Sequence, residues 1–127
     1  MANYILRPFD RSLKSVGIDD EKLCNAAREL RAGQFEANLG GNLYKKRIPL
    51  MRGKSCGARA IIAFKSDNDL FFVNGWIKNV VKKGCKEIPD DVLVFYKAIA
   101  IQMLSMTPEQ TQIALKAGKM REVRCDD

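Results

Sequence analysis

The chain has 127 residues, 46% of them hydrophobic and 29% charged, which suits one globular domain spanning 1–127 and excludes a disordered or fibrous class. No apolar run approaches the roughly 18 residues of a membrane-crossing helix. No basic stretch followed by an apolar core marks a secretory signal at MANYILRPFD, so a cytoplasmic protein with no membrane partner is expected. A net charge of +7, from 22 basic and 15 acidic residues, favours an anionic partner. The lack of any histidine removes the Ser-His and Cys-His nucleophile arrangements.

In chain order, Tyr4 to Arg7 reads as a short strand and Pro8 to Ser15 as a short helix, with proline at a tolerated first-turn position. After a break at Gly17, Asp19 can cap a helix running to about Ala32, where Gly33 is a plausible stop. Leu23, Ala27 and Leu30 recur there at helical spacing, so this pair of helices should lay an apolar face on a sheet. Asn38 to Asn42 has the composition of a turn. Leu43 to Ile48 reads as a strand ended by Pro49, and residues 50–57 as a basic loop.

The clearest strands follow. In Ala58 to Lys65, alternation puts Ala58, Ala60, Ile62 and Phe64 on one face and Arg59, Ile61, Ala63 and Lys65 on the other. A polar turn, Ser66 to Asp69, leads into the β-rich run LFFVNGWI, which predicts an antiparallel hairpin. A long helix starts near Pro89 with an apolar stripe of Val92, Phe95, Ile99, Met103 and Met106. Thr107 and Gln110 form a capping box for the next helix, which ends at Gly118, and MREV can be a last short strand. The order β-α-α-β-β-β-α-α-β predicts an α+β domain whose helices pack on one antiparallel sheet. Four widely spaced cysteines without a C-x-x-C pair read as free thiols, and no metal or cofactor is expected.

The charge is local. Residues 42–60 carry Lys45, Lys46, Arg47, Arg52, Lys54 and Arg59 with no acid, and residues 76–86 carry Lys78, Lys82, Lys83 and Lys86 with none. Lys45 and Arg47 point to a single sheet face, and with Arg59 and Lys78 they converge if the three strands are neighbours. Arg52 and Lys54 then overhang from the loop. Arg supplies a planar fork for phosphate oxygens and Lys a compact charge. The plainer reading is a solvated face whose cations prevent edge pairing, and it fits Arg59, set in an apolar strand, least well. Trp76 and Tyr44 can stack on bases, although an aromatic in a strand more often belongs to the core. Crowded cations should lower the pKa of one lysine and make it a base, while arginines stabilise a pentavalent phosphorane. Cleavage of RNA by 2′-hydroxyl attack on the adjacent phosphate needs no more than these parts.

The series A-N-L-G-G-N-L-Y-K-K-R, R-G-K-S-C-G-A-R, F-F-V-N-G-W-I-K-N and A-L-K-A-G-K-M-R-E-V resembles the RelE/HigB-type toxins of bacterial type II toxin–antitoxin modules, from about Tyr4 to Val123. The resemblance implies a microbial-ribonuclease-like (RelE-like) α+β fold, with an antiparallel sheet packed against N-terminal and C-terminal helices. It implies an mRNA endoribonuclease acting on the ribosome, without a metal or cofactor, and held inactive by a cognate, DNA-binding antitoxin. Carried onto this chain, the G-x-R arginine is Arg59, the K-K-R cations are Lys45, Lys46 and Arg47, and the K-N lysine is Lys78. Arg59, Lys54, Lys45 and Lys78 are the catalytic candidates, with Lys45 or Lys54 as base. Lys46, Arg47, Arg52, Lys82, Lys83 and Trp76 are the RNA-binding candidates. After K-N, where relatives carry an acid and an arginine, this chain has Val80, Val81, Lys82 and Lys83. A ParE-like inhibitor of DNA gyrase and an inert nucleic-acid-binding module are the alternatives on the same scaffold.

Overall fold

The structure, a computed structural model, describes residues 1–50, 57–77 and 87–125. Six strands, β1 (Asn3–Leu6), β2 (Ala37–Gly40), β3 (Leu43–Ile48), β4 (Ala58–Phe64), β5 (Leu70–Ile77) and β6 (Met120–Val123), form one sheet in the order β2-β3-β4-β5-β1-β6. Helices α1 (Arg7–Ser12) and α2 (Asp20–Arg31) follow β1, and α3 (Asp90–Leu104) and α4 (Pro108–Lys116) precede β6. The architecture is α+β, as expected, with one parallel pair: β1 runs alongside β5, Asn3 opposite Leu70 and Ile5 opposite Phe72. That direction follows from the crossover through α1, α2 and the β2–β4 meander, and the other described pairs are antiparallel.

The two helix pairs cover opposite faces of the sheet. On one, Phe9, Leu13, Leu23, Ala27 and Leu30 pack on Ile5, Ala58, Ala60, Ile62 and Phe72. On the other, Tyr96 and Ala100 pack on Tyr4, Leu43, Ile61, Ala63, Phe71 and Val73. β4 therefore has no solvated face, and all seven of its residues are buried. Each isoleucine buried there contributes about 1.5–3 kcal/mol. β4 is the axis that fixes where Arg59 stands.

Local signals set the helix ends. The Asp19 carboxylate accepts from the Lys22 N–H at 2.9 Å and starts α2, and Gly33, at φ +89°, lets the chain turn away after it. Thr107 and Gln110 exchange the two hydrogen bonds of the capping box, at 3.1 and 2.9 Å. Three expectations are corrected. Residues 37–40 form the edge strand β2 rather than belonging wholly to a turn; the chain reverses at Gly41 and Asn42, both at positive φ. A four-residue edge strand of small and polar residues carries too little hydrophobic period to announce itself. Val92, Ile99, Met103 and Met106 pack on the sheet as expected, but Phe95 is 61% exposed and the most buried residues of α3 are Tyr96 and Ala100; the helix is apolar nearly all round, so its sequence did not single out a face. Cys24 and Cys125 are not free thiols but form a disulfide joining α2 to the segment after β6, with Cα atoms 5.7 Å apart.

Candidate active site

β3 and β4 build the candidate site together. Leu43 is buried on the α3 side, so alternation sends Lys45 and Arg47 to that side and Tyr44, Lys46 and Ile48 to the α2 side. The β3–β4 register sets Lys45 opposite Ile61 and Arg47 opposite Arg59, and the β4–β5 register sets Arg59 opposite Trp76. Lys45, Arg47, Arg59 and Trp76 thus share one end of the α3 face. Two arginines facing each other across neighbouring strands repel, an arrangement that costs stability by itself. Gly57 lies between them: a Cβ built there would sit 3.3 Å from Arg59 Nη1 and 3.4 Å from Arg47 Nε.

Acids from distant parts of the chain answer these cations. Glu36, just before β2, places one carboxylate oxygen 2.9 Å from Arg59 Nε and the other 3.0 Å from Lys45 Nζ. Glu87, ahead of α3, accepts from Lys45 Nζ at 2.8 Å and from the Trp76 indole N–H at 3.3 Å. The result is a continuous chain, Trp76–Glu87–Lys45–Glu36–Arg59. Residues 42–60 are free of acids in sequence but not in space. Glu36 and Glu87 had no local motif; their one signal is that a half-buried cluster of cations needs carboxylates from elsewhere.

The electrostatics reverse one expectation. Burial pushes the Lys45 ammonium down, but the hydrogen bonds of Glu87 and Glu36 outweigh it and raise the pKa above that of an ordinary lysine. Burial pushes Glu36 up, and the hydrogen bonds from Lys45 and Arg59 more than offset this and hold it below an ordinary glutamate. Lys45 is therefore a charged donor at neutral pH, not the neutral base that crowding among cations suggested.

The remaining candidates divide into two groups. Lys46 lies apart from the cluster, on the α2 face, where it is 8% exposed and its Nζ is 2.8 Å from Glu29. Tyr44 is on that face too, its ring 4.9 Å from that of Phe35. Arg121 is held by Asp10 at 2.8 Å and Asp20 at 3.4 Å. Lys54, Arg52, Lys78, Lys82 and Lys83 lie outside the described residues. Among the described residues no group of three or more cysteine or acidic side chains could hold a metal ion.

A six-stranded sheet with helices on both faces, and arginines opposed at one end of it, defines a small α+β protein with a charged cluster on one face. Residues 1–123 match the family model described as the RelE toxin of the RelE/RelB toxin–antitoxin system, and the chain belongs to that family. It is a toxin of a toxin–antitoxin pair, and a cognate antitoxin is its partner. No curated protein matches the chain. Among the described residues no helix is long and apolar enough to cross a membrane.

Proposed function

We propose that this toxin is a ribosome-dependent mRNA endoribonuclease that cleaves by metal-independent attack of a 2′-hydroxyl on the adjacent phosphate. The observation that carries the reading is the opposed pair Arg47–Arg59 beside the charged Lys45. A phosphate between the two arginines turns their repulsion into two charge-assisted contacts, which strengthen as the phosphorane gathers charge. In the reaction the 2′-oxygen bonds to phosphorus and the bond from phosphorus to the 5′-oxygen breaks, leaving a 2′,3′-cyclic phosphate and a 5′-hydroxyl. With Lys45 protonated, its part is to add charge and supply a proton to the leaving 5′-oxygen. Glu36 is the acceptor for the 2′-hydroxyl proton. Phosphate that draws Arg59 and Lys45 away from Glu36 removes the bonds that depress its pKa and makes it a better base. Lys54 and Lys78 keep the roles that the resemblance gives them, and Arg52, Lys82 and Lys83 stay RNA-binding candidates on the same ground.

The test is to induce wild type and Arg59→Ala in a bacterium and map the 5′ ends of cellular mRNA. New ends within translated regions, absent from the variant, are expected together with growth arrest that the variant relieves. Arrest with intact transcripts and a DNA-damage response would instead indicate gyrase as the target.

A further inference from the structure

Beside the cationic cluster lies a second feature that phosphate chemistry leaves unused. β1 pairs with β5 only as far as Phe72, and the chain then leaves as α1, so Asn74, Gly75 and Trp76 of β5 border a cleft. The cleft holds about 300 Å³ between the end of α1 and the start of α3, at the small end of the roughly 300–1,000 Å³ typical of ligand sites. The Trp76 indole, Ile88, Pro89 and Val92 give it apolar walls. Its polar groups are Ser12, Asn74, Tyr96 and Glu87.

Those polar groups are held in fixed orientations. The Asn74 amide oxygen accepts from Ser12 Oγ at 2.8 Å and from the Gly75 N–H at 2.8 Å, while its nitrogen donates to the Tyr96 hydroxyl at 3.1 Å. Tyr96 is 9% exposed. Its oxygen is occupied as an acceptor, so its own O–H remains to donate, and the Ser12 oxygen remains to accept. Burial keeps the Tyr96 phenol above its ordinary pKa and therefore protonated at neutral pH. A largely apolar cleft with one donor and one acceptor at fixed positions suits an aromatic heterocycle with polar edges. The Trp76 register partner is Arg59, so an occupant stacked on the indole lies next to the phosphate site.

We propose that this cleft receives the nucleobase adjoining the bound phosphate, with Trp76 as the stacking surface and the Tyr96 hydroxyl and Ser12, oriented by Asn74, as the edge-reading groups. The proposal rests on the ribonuclease reading for the identity of the ligand, an RNA nucleotide unit. It makes Tyr96 and Ser12 determinants of which base precedes or follows the cut.

Trp76 is the chain's one tryptophan and reports from inside the cleft. The four nucleoside 5′-monophosphates and ribose 5-phosphate are titrated onto the full chain while its fluorescence is followed. At least one nucleotide should bind about tenfold or more tighter than ribose 5-phosphate, the scale of one base–aromatic stack. Val92→Phe should bring that ratio to about one by filling the slot, and Tyr96→Phe should narrow the spread among the four bases. Arg59→Ala should weaken every ligand alike. Equal affinity of wild type for all nucleotides and ribose 5-phosphate overturns the base cleft, even if cells show Arg59-dependent cleavage. A base-dependent ratio that Val92→Phe does not reduce also overturns it, because the base is then read elsewhere. Base-dependent binding that Val92→Phe abolishes upholds the cleft, even where no cellular RNA is cut and the ribonuclease reading alone fails.

Discussion

Glu36 ties two cations of the site to one carboxylate, and this gives the folded protein a defined response to pH. Its carboxyl is depressed below the ordinary 4.5, so its stabilising contribution is complete above that value and is lost as pH falls through the lower folded value. Lys45 is raised above the ordinary 10.5, so its contribution is complete below that value and is lost as pH rises through the higher folded one. The difference in unfolding free energy between wild type and Glu36→Gln should therefore be level between these limits and vanish towards the acid end. Urea unfolding at a series of pH values measures it. A difference that already fades near neutrality would mean that Glu36 is not held by Lys45 and Arg59 in solution. On the proposed mechanism the variant should also lose RNA cleavage more than stability, because it removes the proposed proton acceptor while leaving the three cations in place.

At the scale of the elements, the site depends on how closely α1 approaches the β4–β5 pair. β5 carries a bulge at Val73, where the register shifts from Ile61–Asn74 to Ile62–Phe72; this re-aims the Asn74 side chain, which meets Ser12 and Tyr96. One position further on, a Cβ at Gly75 would lie 2.7 Å from the Arg59 carbonyl oxygen and 2.8 Å from Leu13 Cδ1. A methyl group there must move backbone, not a flexible side-chain end. Gly75→Ala should destabilise the fold by about 1–3 kcal/mol and, by displacing Arg59, reduce RNA cleavage further than the lost stability explains. Thermal unfolding and cleavage assayed well below the melting point separate the two effects. A variant of wild-type stability and activity would show that the three elements are less tightly packed than described. The same region shows what the sequence could and could not say. Alternation in Leu43–Ile48 and Ala58–Phe64 was legible because a strand has a period of two, and it placed Lys45, Arg47 and Arg59 on one face. Neither the bulge nor the two carboxylates was legible, since each depends on which distant segments meet. Lys46, adjacent to Lys45 in the chain, was grouped with it by motif, but the same alternation carries it to the opposite face.

On the scale of the whole molecule, the sheet divides the interior into two cores, with β1, β3, β4, β5 and β6 contributing residues to both. The N-terminal helices belong to one core and the C-terminal helices to the other. Two connections tie the N-terminal helices to β6 and the segment after it, both on the α2 face of the sheet: the Arg121 pairs with Asp10 and Asp20, and the Cys24–Cys125 disulfide. The ion pairs are exposed and add little. The disulfide closes a separation of 101 residues, and in the chain-entropy account a loop of that size stabilises by about 4–5 kcal/mol, an upper value for a bond formed without distortion. With Cys24 and Cys125 paired, at most two of the four cysteines react with a thiol reagent after unfolding without reductant. The oxidised chain should melt several degrees higher than the double variant Cys24→Ser/Cys125→Ser, and a reductant should lower the first and leave the second unchanged. Four reactive thiols in protein purified without reductant would show that the pair stays reduced, as a reducing compartment would keep it. Neither result should alter the Arg59 dependence of the proposed RNA cleavage, because the bond lies on the α2 face of the sheet, opposite the face that carries Lys45, Arg47 and Arg59.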